Sequence, residues 1–422
     1  MITSSSDPQP ADFADVRATN LAVVLRFVRE HAPCSRADIA ASTGLNKATV
    51  SSLVADLIDR RLVRETGLTE NRVGRPATML VLDGSPYAAI GVEINVDYVT
   101  AVAVDLAGER LLSWRRAFPG SVAAVAAIVR RVVNRMAKED KQILGLTVAV
   151  PGLVDGTGVV RVAPNLGWLD TDVSGDVSGD LAKALRDPGF PIQADNDANL
   201  GALAEHRFGP HGAVSDLVYL TGELGVGAGV ILDGRLRRGG RGFSGEIGHI
   251  QIDPRGPRCR CGRVGCLEAV AGIGAVLEHL APSAPAGLSA PAGLSTPEDS
   301  PTPEDSPAVS PASPSSPEGA HVSPVEVELE IEEVVRRARA GHPRTLELLA
   351  GVGRDLGRGV AILANLLNPQ VVILGGYYVP LAAWLLPAVE KEVRERTIAP
   401  EAGGCRVVMS SLGYDAAALG GG

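Results

Sequence analysis

The residues best suited to chemistry are one histidine and three cysteines that lie close together. His249 is followed by Cys259, Cys261 and Cys266. One imidazole and three thiolates satisfy a tetrahedral zinc ion, and a site with four protein ligands is closed and structural. Such close spacing in a large chain favours a metal over a disulfide framework. The alternative interpretation is three buried free thiols.

Two carboxylates are interleaved with these ligands. Glu246 precedes His249 by three residues, and Glu268 follows Cys266 by two. Carboxylates held near a neutral imidazole are hydrogen-bond acceptors suited to the paired hydroxyls of a sugar. The spacing therefore predicts a carbohydrate site supported by zinc.

A second group of polar residues, Asp195-Asn196-Asp197, lies between a predicted strand at 191–193 and a helix that runs through Glu205. A carboxylate here could take the proton of a hydroxyl that attacks a phosphate. The alternative is a helix cap rich in Asn and Asp. A glycine-rich turn at 221–229 suits the close approach of a ligand, but it carries Glu223, whose charge would repel a phosphate.

The elements that must position these residues form two α/β sets. The first is predicted as strands 88–95, 98–105 and 110–117, helix 122–138 and strand 143–150. The second is predicted as strands 216–220 and 228–232, helices across 327–367, strand 371–374 and helix 381–396. Two α/β lobes predict a ligand cleft between them. Asn165 is either a further ligand contact or a turn residue.

The N-terminal segment has the pattern of a helix-turn-helix. Apolar spacing predicts helices at 20–30 and 35–42, the second with a capping-box start, and a third from about Asn46. The third helix places its apolar residues on one face and Lys47, Ser51 and Ser52 on the other. Strands around a Gly- and Arg-bearing loop at 64–82 predict a wing. Arg60 to Arg75 contains five Arg against two Glu.

Composition and charge limit the function classes. The chain has 422 residues, is 45% hydrophobic and has a net charge of −9, so a fully disordered protein and a basic wrapper of nucleic acid are both excluded. DNA contact must come from a local cluster such as the wing. The N-terminus lacks a secretory signal, and Asn, Gly and Pro interrupt the longest uncharged run, 359–389. We therefore expect a cytoplasmic protein without a membrane span.

Two segments are predicted to be disordered. One is the N-terminal tail, 1–14. The other is an insertion at 282–324, which has eleven Pro, ten Ser, five acids and no Lys or Arg, with two six-residue repeats. Such a sequence cannot bury enough apolar surface to offset its ordering entropy. Repeat slippage into a tolerant loop is the favoured origin of the insertion, and a recruitment role is the alternative.

The run Gly-Glu-Ile-Gly-His (245–249), followed by Cys-Arg-Cys-Gly-Arg-Val-Gly-Cys-Leu-Glu (259–268), resembles the ROK family of repressors, open reading frames and sugar kinases. With the N-terminal module, the chain is similar to that family's transcriptional regulators. The resemblance implies a winged helix-turn-helix at 15–82 and a two-lobed, actin-like (ribonuclease-H-like) ATPase fold at 87–422. It also implies that Asn196, Asp197, Glu246, His249 and Glu268 hold a sugar. The residue matching Asp197 is the catalytic base of the kinases.

This chain departs from the kinase pattern at both phosphate-binding segments. Family kinases have Asp-x-Gly-Gly-Thr where this chain has Glu93-Ile-Asn-Val-Asp97, and Glu223 and Leu224 replace a Gly and a Thr in the second turn. Lost backbone access, a missing hydroxyl and added carboxylates disfavour ATP, which needs donors and cations around it. We therefore expect no catalysis and a vestigial Asp197. The alternative is a sugar kinase with an accessory DNA-binding module.

The resulting hypothesis is a sugar-responsive transcriptional regulator. We expect Lys47, Ser51 and Ser52 to enter the major groove of operator DNA, Thr49 to approach a phosphate, and Arg75 to enter the minor groove. The expected partners are operator DNA, a sugar or sugar-phosphate effector and further copies of the chain in a homodimer or homotetramer. The expected cofactor is structural zinc held by His249, Cys259, Cys261 and Cys266.

Overall fold

A computed structural model describes residues 13–68, 77–95, 98–118, 121–173, 180–185, 188–223, 225–277, 324–398 and 404–422. Residues 1–12 of the predicted tail, most of the predicted insertion and the tip of the wing with Arg75 lie outside these residues. Residues 13 and 14, which the prediction placed in the disordered tail, instead begin the first helix. Among the described residues, no helix combines the length and the apolar character needed to cross a membrane.

The N-terminal module consists of three helices and a small sheet with the strand order β1-β3-β2. Ser35 and Asp38 form the predicted capping box at the start of the second helix, and Asn46 caps the third. Val50, Leu53, Val54 and Leu57 are buried, which confirms the predicted apolar face. The elements are α1 (Phe13–His31), β1 (Cys34–Ser35), α2 (Arg36–Thr43), α3 (Lys47–Asp59), β2 (Val63–Leu68) and β3 (Thr78–Leu82).

The first lobe is a mixed five-stranded sheet with the order β11-β7-β4-β5-β6. Strands β4, β7 and β11 run parallel, whereas β4, β5 and β6 form antiparallel pairs. The three-stranded sheet β8–β10 that precedes β11 was not predicted from the sequence. The elements are β4 (Tyr87–Ile94), β5 (Tyr98–Asp105), β6 (Arg110–Ala117), α4 (Val122–Lys138), β7 (Gln142–Val150), β8 (Leu153–Val154), β9 (Val159–Ala163), β10 (Trp168–Asp172), α5 (Asp180–Leu185), β11 (Ile192–Asn196) and α6 (Asp197–Phe208).

The second lobe repeats this plan with the strand order β14-β13-β12-β15-β16. The first long helix of this lobe begins at Pro324, the last residue of the predicted insertion, and a second long helix follows it. The elements are β12 (Leu217–Gly222), β13 (Val226–Leu232), β14 (Arg235–Leu236), α7 (Leu267–Ala271), α8 (Ile273–Leu277), α9 (Pro324–Arg339), α10 (Pro343–Leu367), β15 (Val371–Gly376), α11 (Tyr378–Arg396), β16 (Arg406–Met409) and α12 (Ala416–Gly421).

Two helices lie between the sheets and join the lobes. Helix α6 leaves the first lobe and packs on the second sheet, where Ala202 shares a core with Leu217 and Ile231. Helix α12 leaves the second lobe and packs on the first sheet. A Cβ at Gly91 would lie 1.8 Å from the carbonyl oxygen of Ala418, so this close approach requires glycine.

Candidate functional site

The four predicted metal ligands come together. The ligand atoms of His249, Cys259, Cys261 and Cys266 all lie within 4.8 Å of one another, so this group could hold a metal ion. Gly262 and Gly265 have positive φ angles of 87° and 66°, which lets the loop turn back on itself. The Nδ1 atom of His249 lies 3.8 Å from Sγ of Cys259, which places this ring nitrogen on the side of the thiols.

The thiols differ in how readily they lose their protons. Burial raises the pKa of Cys259 to about 12, and it also raises the pKa of Cys266. A hydrogen bond from the backbone N–H of Arg263 lowers the pKa of Cys261 to about 7. Because metals bind thiolates, loading this site would release protons chiefly from the two buried cysteines.

The loop that carries the metal ligands, residues 249–266 (the metal-ligand loop), contacts both lobes. Glu268 accepts a hydrogen bond of 3.2 Å from the backbone N–H of Val226, and its other oxygen lies 3.7 Å from Sγ of Cys259. On the opposite side, Arg260 donates to the side-chain oxygen of Asn165 at 3.3 Å. The loop therefore orients one predicted sugar-binding carboxylate and reaches across to the first lobe.

The other predicted sugar-binding residues lie at the junction of β11 and α6 and in the turn before the metal-ligand loop. Asn196 caps α6 by accepting from the backbone N–H of Asn199 at 3.1 Å, and it donates to the carbonyl of Gly152 at 3.0 Å. One amide N–H of Asn196 is left for a ligand. Glu246 lies at the surface, where partial desolvation of its carboxyl group raises its pKa; His249 opposes this shift and Glu268 adds to it.

Asp197 is the residue that links the predicted sugar site to the space between the lobes. Its Oδ1 accepts a hydrogen bond of 2.8 Å from the backbone N–H of Ala198. Burial raises its pKa to about 7, and the charges of Glu223 and then Glu246 add to the shift. Asp197 lines a small void together with Glu93 and Glu223.

A network of buried acids and a tyrosine connects the lobes at the predicted phosphate-binding segments. The Tyr98 hydroxyl lies 3.0 Å from Glu93 and 2.9 Å from Glu223, and Asn95 donates to the same Glu223 oxygen at 2.5 Å. A phenol donates only one proton, so one of the two carboxyl groups must be protonated to complete the second hydrogen bond. Burial and mutual repulsion raise the pKa of Glu93, in agreement with this requirement.

Glu93 and Glu223 were predicted from the sequence, but their partners were not. Arg115 lies 4.0 Å above the Tyr98 ring and 4.8 Å from that of Tyr414, and it forms an ion pair with Glu328. The partners lie on β5, on β6 and in the second lobe. No sequence spacing could reveal them, because only the tertiary fold brings them together.

A cavity of about 710 Å³ lies between the loops at 153–161 and 238–243. Three arginines line it: Arg161, Arg238 and Arg241. Arg161 is paired with Asp155 and Asp170, and Arg238 is paired with Asp195. None of the five predicted sugar-binding residues is among the described residues that line this cavity.

The predicted DNA-contacting residues lie on α3. Lys47, Ser51 and Ser52 are exposed, whereas Thr49 is half-buried. Arg17 on α1, which sequence analysis missed, donates to Ser52 at 3.5 Å and pairs with Asp56 at 3.2 Å. Ser51 donates to the carbonyl of Lys47 at 2.9 Å. The helix therefore presents a small polar surface to solvent.

Comparison with known proteins identifies this architecture. The ROK family profile matches residues 89–421, and that of the MarR family matches residues 22–71. The chain belongs to the ROK family. It is a ROK protein with a MarR-type winged helix-turn-helix, and its second part has the actin-like fold of the family's sugar kinases.

The relatives of this ROK protein include repressors along its full length. It is 28% identical to the xylose repressor of Bacillus subtilis over 97% of this chain and 95% of the relative. It is 27% identical to the N-acetylglucosamine repressor of Escherichia coli O157:H7, over 95% and 91% respectively. Among solved structures, a ROK family transcriptional regulator homologous to the Escherichia coli MLC protein has a TM-score of 0.74 at 27% identity and covers 96% of this chain, which covers 94% of that one.

A ROK family glucokinase from Streptomyces griseus, solved with glucose and AMPPNP, is also similar. Its TM-score is 0.59 at 26% identity, and the match covers 97% of the kinase but 79% of this chain. The kinase match is shorter than the regulator match because this chain has an additional N-terminal module.

Proposed function

We propose that this protein is a sugar-responsive transcriptional repressor. The observation that carries the proposal is the similarity to repressors over nearly the whole chain, DNA-binding module included. The winged helix-turn-helix would bind operator DNA, with Lys47, Ser51 and Ser52 in the major groove and Thr49 near a phosphate. Arg75, which lies outside the described residues, would enter the minor groove.

The proposed effector is a sugar held by Asn196, Asp197, Glu246, His249 and Glu268. The placement of Glu268 and Asn196 supports this set, since other parts of the fold hold both side chains in place. His249 turns one ring nitrogen toward the thiols, which leaves the other for a sugar hydroxyl. Sugar binding would change the angle between the lobes and hence the spacing of the DNA-binding modules in a symmetric oligomer.

The proposed metal is structural zinc. One nitrogen and three sulfur ligands fit its tetrahedral preference, and four protein ligands leave no open position for catalysis. When bound, the ion would fix the metal-ligand loop and so hold Glu268 and His249 in place.

The second candidate function is a sugar kinase. A buried carboxyl group whose pKa is about 7 fits a general base, and Asp197 has this property. Glu93 and Glu223 argue against it, because both carboxyl groups lie where the kinase pattern binds phosphates. Incubation with ATP, magnesium and hexoses tests this alternative: ADP formation that Asp197→Asn abolishes would establish the enzyme.

The experiment that tests the repressor proposal measures operator affinity with and without sugars. Genomic fragments bound by the full-length protein supply the operator, and a panel of monosaccharides and sugar phosphates is then added. We expect at least one compound to change both operator affinity and melting temperature, because coupling is reciprocal and ligand binding stabilises the folded state. A panel that changes neither would remove the sensing half of the proposal.

A further inference from the structure

The interior end of the proposed sugar site borders on an acidic group. Asp197 lines one void together with Glu223 and Glu93, and the charge of Glu246, a predicted sugar-binding residue, also acts on it. Beyond it lies Glu93, which is 2% exposed and has one oxygen without a hydrogen-bond partner among the described residues. A substituent on a hydroxyl that binds Asp197 from this void would lie beside these two glutamates.

Little space exists beside Asp197 for such a substituent. The void between the acids measures about 10 Å³ and is lined by Glu93, Asp197, Tyr219, Thr221, Glu223, Gly413, Tyr414, Ala416 and Ala417. A void of this size holds about one water molecule. A phosphoryl group adds one phosphorus and three oxygen atoms, so it does not fit while Tyr98 and Asn95 bind Glu223 across the lobes.

The groups that line this void also oppose an anion. A phosphate ester needs cationic or N–H donors, and this void is lined by three carboxyl groups. Arg115 is the cation whose charge acts on Glu93 and Glu223. Its guanidinium is stacked on two tyrosines and paired with Glu328, and Arg115 is not among the described residues that line the void.

On the basis of the proposed sugar-sensing function, we infer that the effector is an unphosphorylated sugar that presents a free hydroxyl to Asp197. Glu93 and Glu223 act as a selectivity element that excludes phosphate esters at this position. The cavity with the three arginines does not change this result, because two of them are paired with aspartates and none lines the void beside Asp197.

Isothermal titration calorimetry on the full-length protein tests the inference with matched pairs. One set compares glucose with glucose 6-phosphate and with glucose 1-phosphate, and a second compares N-acetylglucosamine with its 6-phosphate. Xylose, a five-carbon sugar without a comparable substituent, is titrated alone. For the sugar that binds, we expect the free form to bind at least about 100-fold more tightly than its phosphate ester. A phosphate ester that binds equally well or better overturns the inference and leaves the sensing function intact.

Two variants assign the selectivity to the acids. Glu223→Gly removes a carboxylate and opens the turn, and we expect it to reduce the preference for the free sugar by about tenfold or more. Glu93→Gln replaces a carboxyl group by a neutral amide of about the same volume and gives the same readout if the glycine variant does not fold. Exposed Glu390 supplies the control, Glu390→Gln, which should leave the preference unchanged. An unchanged preference in both site variants contradicts the inference, whereas failure of all sugars to bind the wild type refutes sugar sensing itself.

Discussion

The Asp197 side chain predicts an unusual dependence of stability on pH. Its folded pKa of about 7 lies above the ordinary value of 3.8, since burial disfavours the charged form. Between pH 4 and pH 7 the unfolded chain loses this proton while the folded chain keeps it. The contribution to stability is therefore complete below pH 4 and is lost as the pH rises through 7.

We expect the melting temperature of Asp197→Asn to fall less steeply than that of the wild type between pH 5 and pH 8. Differential scanning calorimetry measures the two slopes. Glu93 and Glu223 contribute a decline of the same sign that remains in the variant. Exposed Asp59 supplies the control, Asp59→Asn, which should keep the wild-type slope. Equal slopes in all three proteins would contradict the environment described for Asp197.

The cysteines predict a separable role for the metal. Cys261→Ser removes one of four ligands, so we expect it to lose about one equivalent of zinc per chain and to weaken the sugar response. Circular dichroism and operator binding should show that the N-terminal module remains folded. Cys405→Ser, which alters a cysteine outside the cluster, is the matched control. Retention of stoichiometric zinc by Cys261→Ser would contradict the ligand assignment.

At the scale of elements, α3 is the helix that reads DNA in our proposal. Lys47 is exposed at its first turn, so Lys47→Ala should weaken operator binding by about 1–3 kcal/mol and reduce its salt dependence. Fluorescence anisotropy at several salt concentrations measures both effects. Lys391→Ala, on the exposed side of α11, removes the same charge elsewhere and should have no effect. Unaltered affinity in Lys47→Ala would exclude this face of α3.

The joint between α3 and β4 is a second element-scale feature. The Tyr87 hydroxyl donates to the carbonyl of Arg60 at 2.9 Å, and Arg61 donates to Ser85 at 3.2 Å. Lys141 on the neighbouring loop donates to the carbonyls of Gly84 and Ser85, each at 3.0 Å. These hydrogen bonds therefore connect the C-terminal end of α3, the proposed DNA-reading helix, to β4, the first strand of the sugar-binding domain.

Weakening this connection should reduce the coupling between sugar binding and operator binding. We expect Tyr87→Phe to keep the sugar affinity but to reduce the sugar-induced change in operator affinity by about 2- to 30-fold. Paired titrations of sugar and operator measure the coupling. Tyr378→Phe deletes a comparable hydroxyl that donates to Ala271 in the second lobe, and it should preserve the coupling. Undiminished coupling in Tyr87→Phe would show that the signal takes another route.

The sequence predicted the elements that local pattern defines. The predicted helix at 122–138 agrees residue for residue, and the capping box at Ser35 and the strands at 98–105 and 110–117 were also found. It missed the sheet β8–β10, β14 and α12. Strands β8 and β14 have two residues each, and α12 consists mostly of Ala and Gly. Helix α12 is defined by its packing under Gly91 rather than by a periodic pattern of its own.

The residues of the candidate site also divide into those that local sequence pattern predicts and those that it does not. The metal ligands are close in sequence, so their spacing was informative before the fold was known. The network of Tyr98, Glu93 and Glu223 joins residues more than 120 positions apart, and only the pairing of the two lobes reveals it.

At the scale of the whole molecule, the proposed mechanism requires more than one chain. Winged helix-turn-helix modules in dimers read half-sites about one helical turn apart, and a change of lobe angle alters that spacing. We expect light scattering to give an even multiple of the 43.7 kDa chain mass, both free and on operator DNA. A protein that saturates its operator as a single chain would contradict the spacing mechanism.

Strand β4 limits how a signal can pass through the molecule. It begins at the Tyr87 joint, contains Glu93 near its other end, and is hydrogen-bonded to β5 on one edge and to β7 on the other. Sliding such a strand by one position would turn every inward side chain outward, which a sheet buried on both faces does not tolerate. The two ends of β4 must therefore move together as one rigid strand. The amide protons along it should exchange slowly with solvent both in the sugar-bound and in the sugar-free repressor.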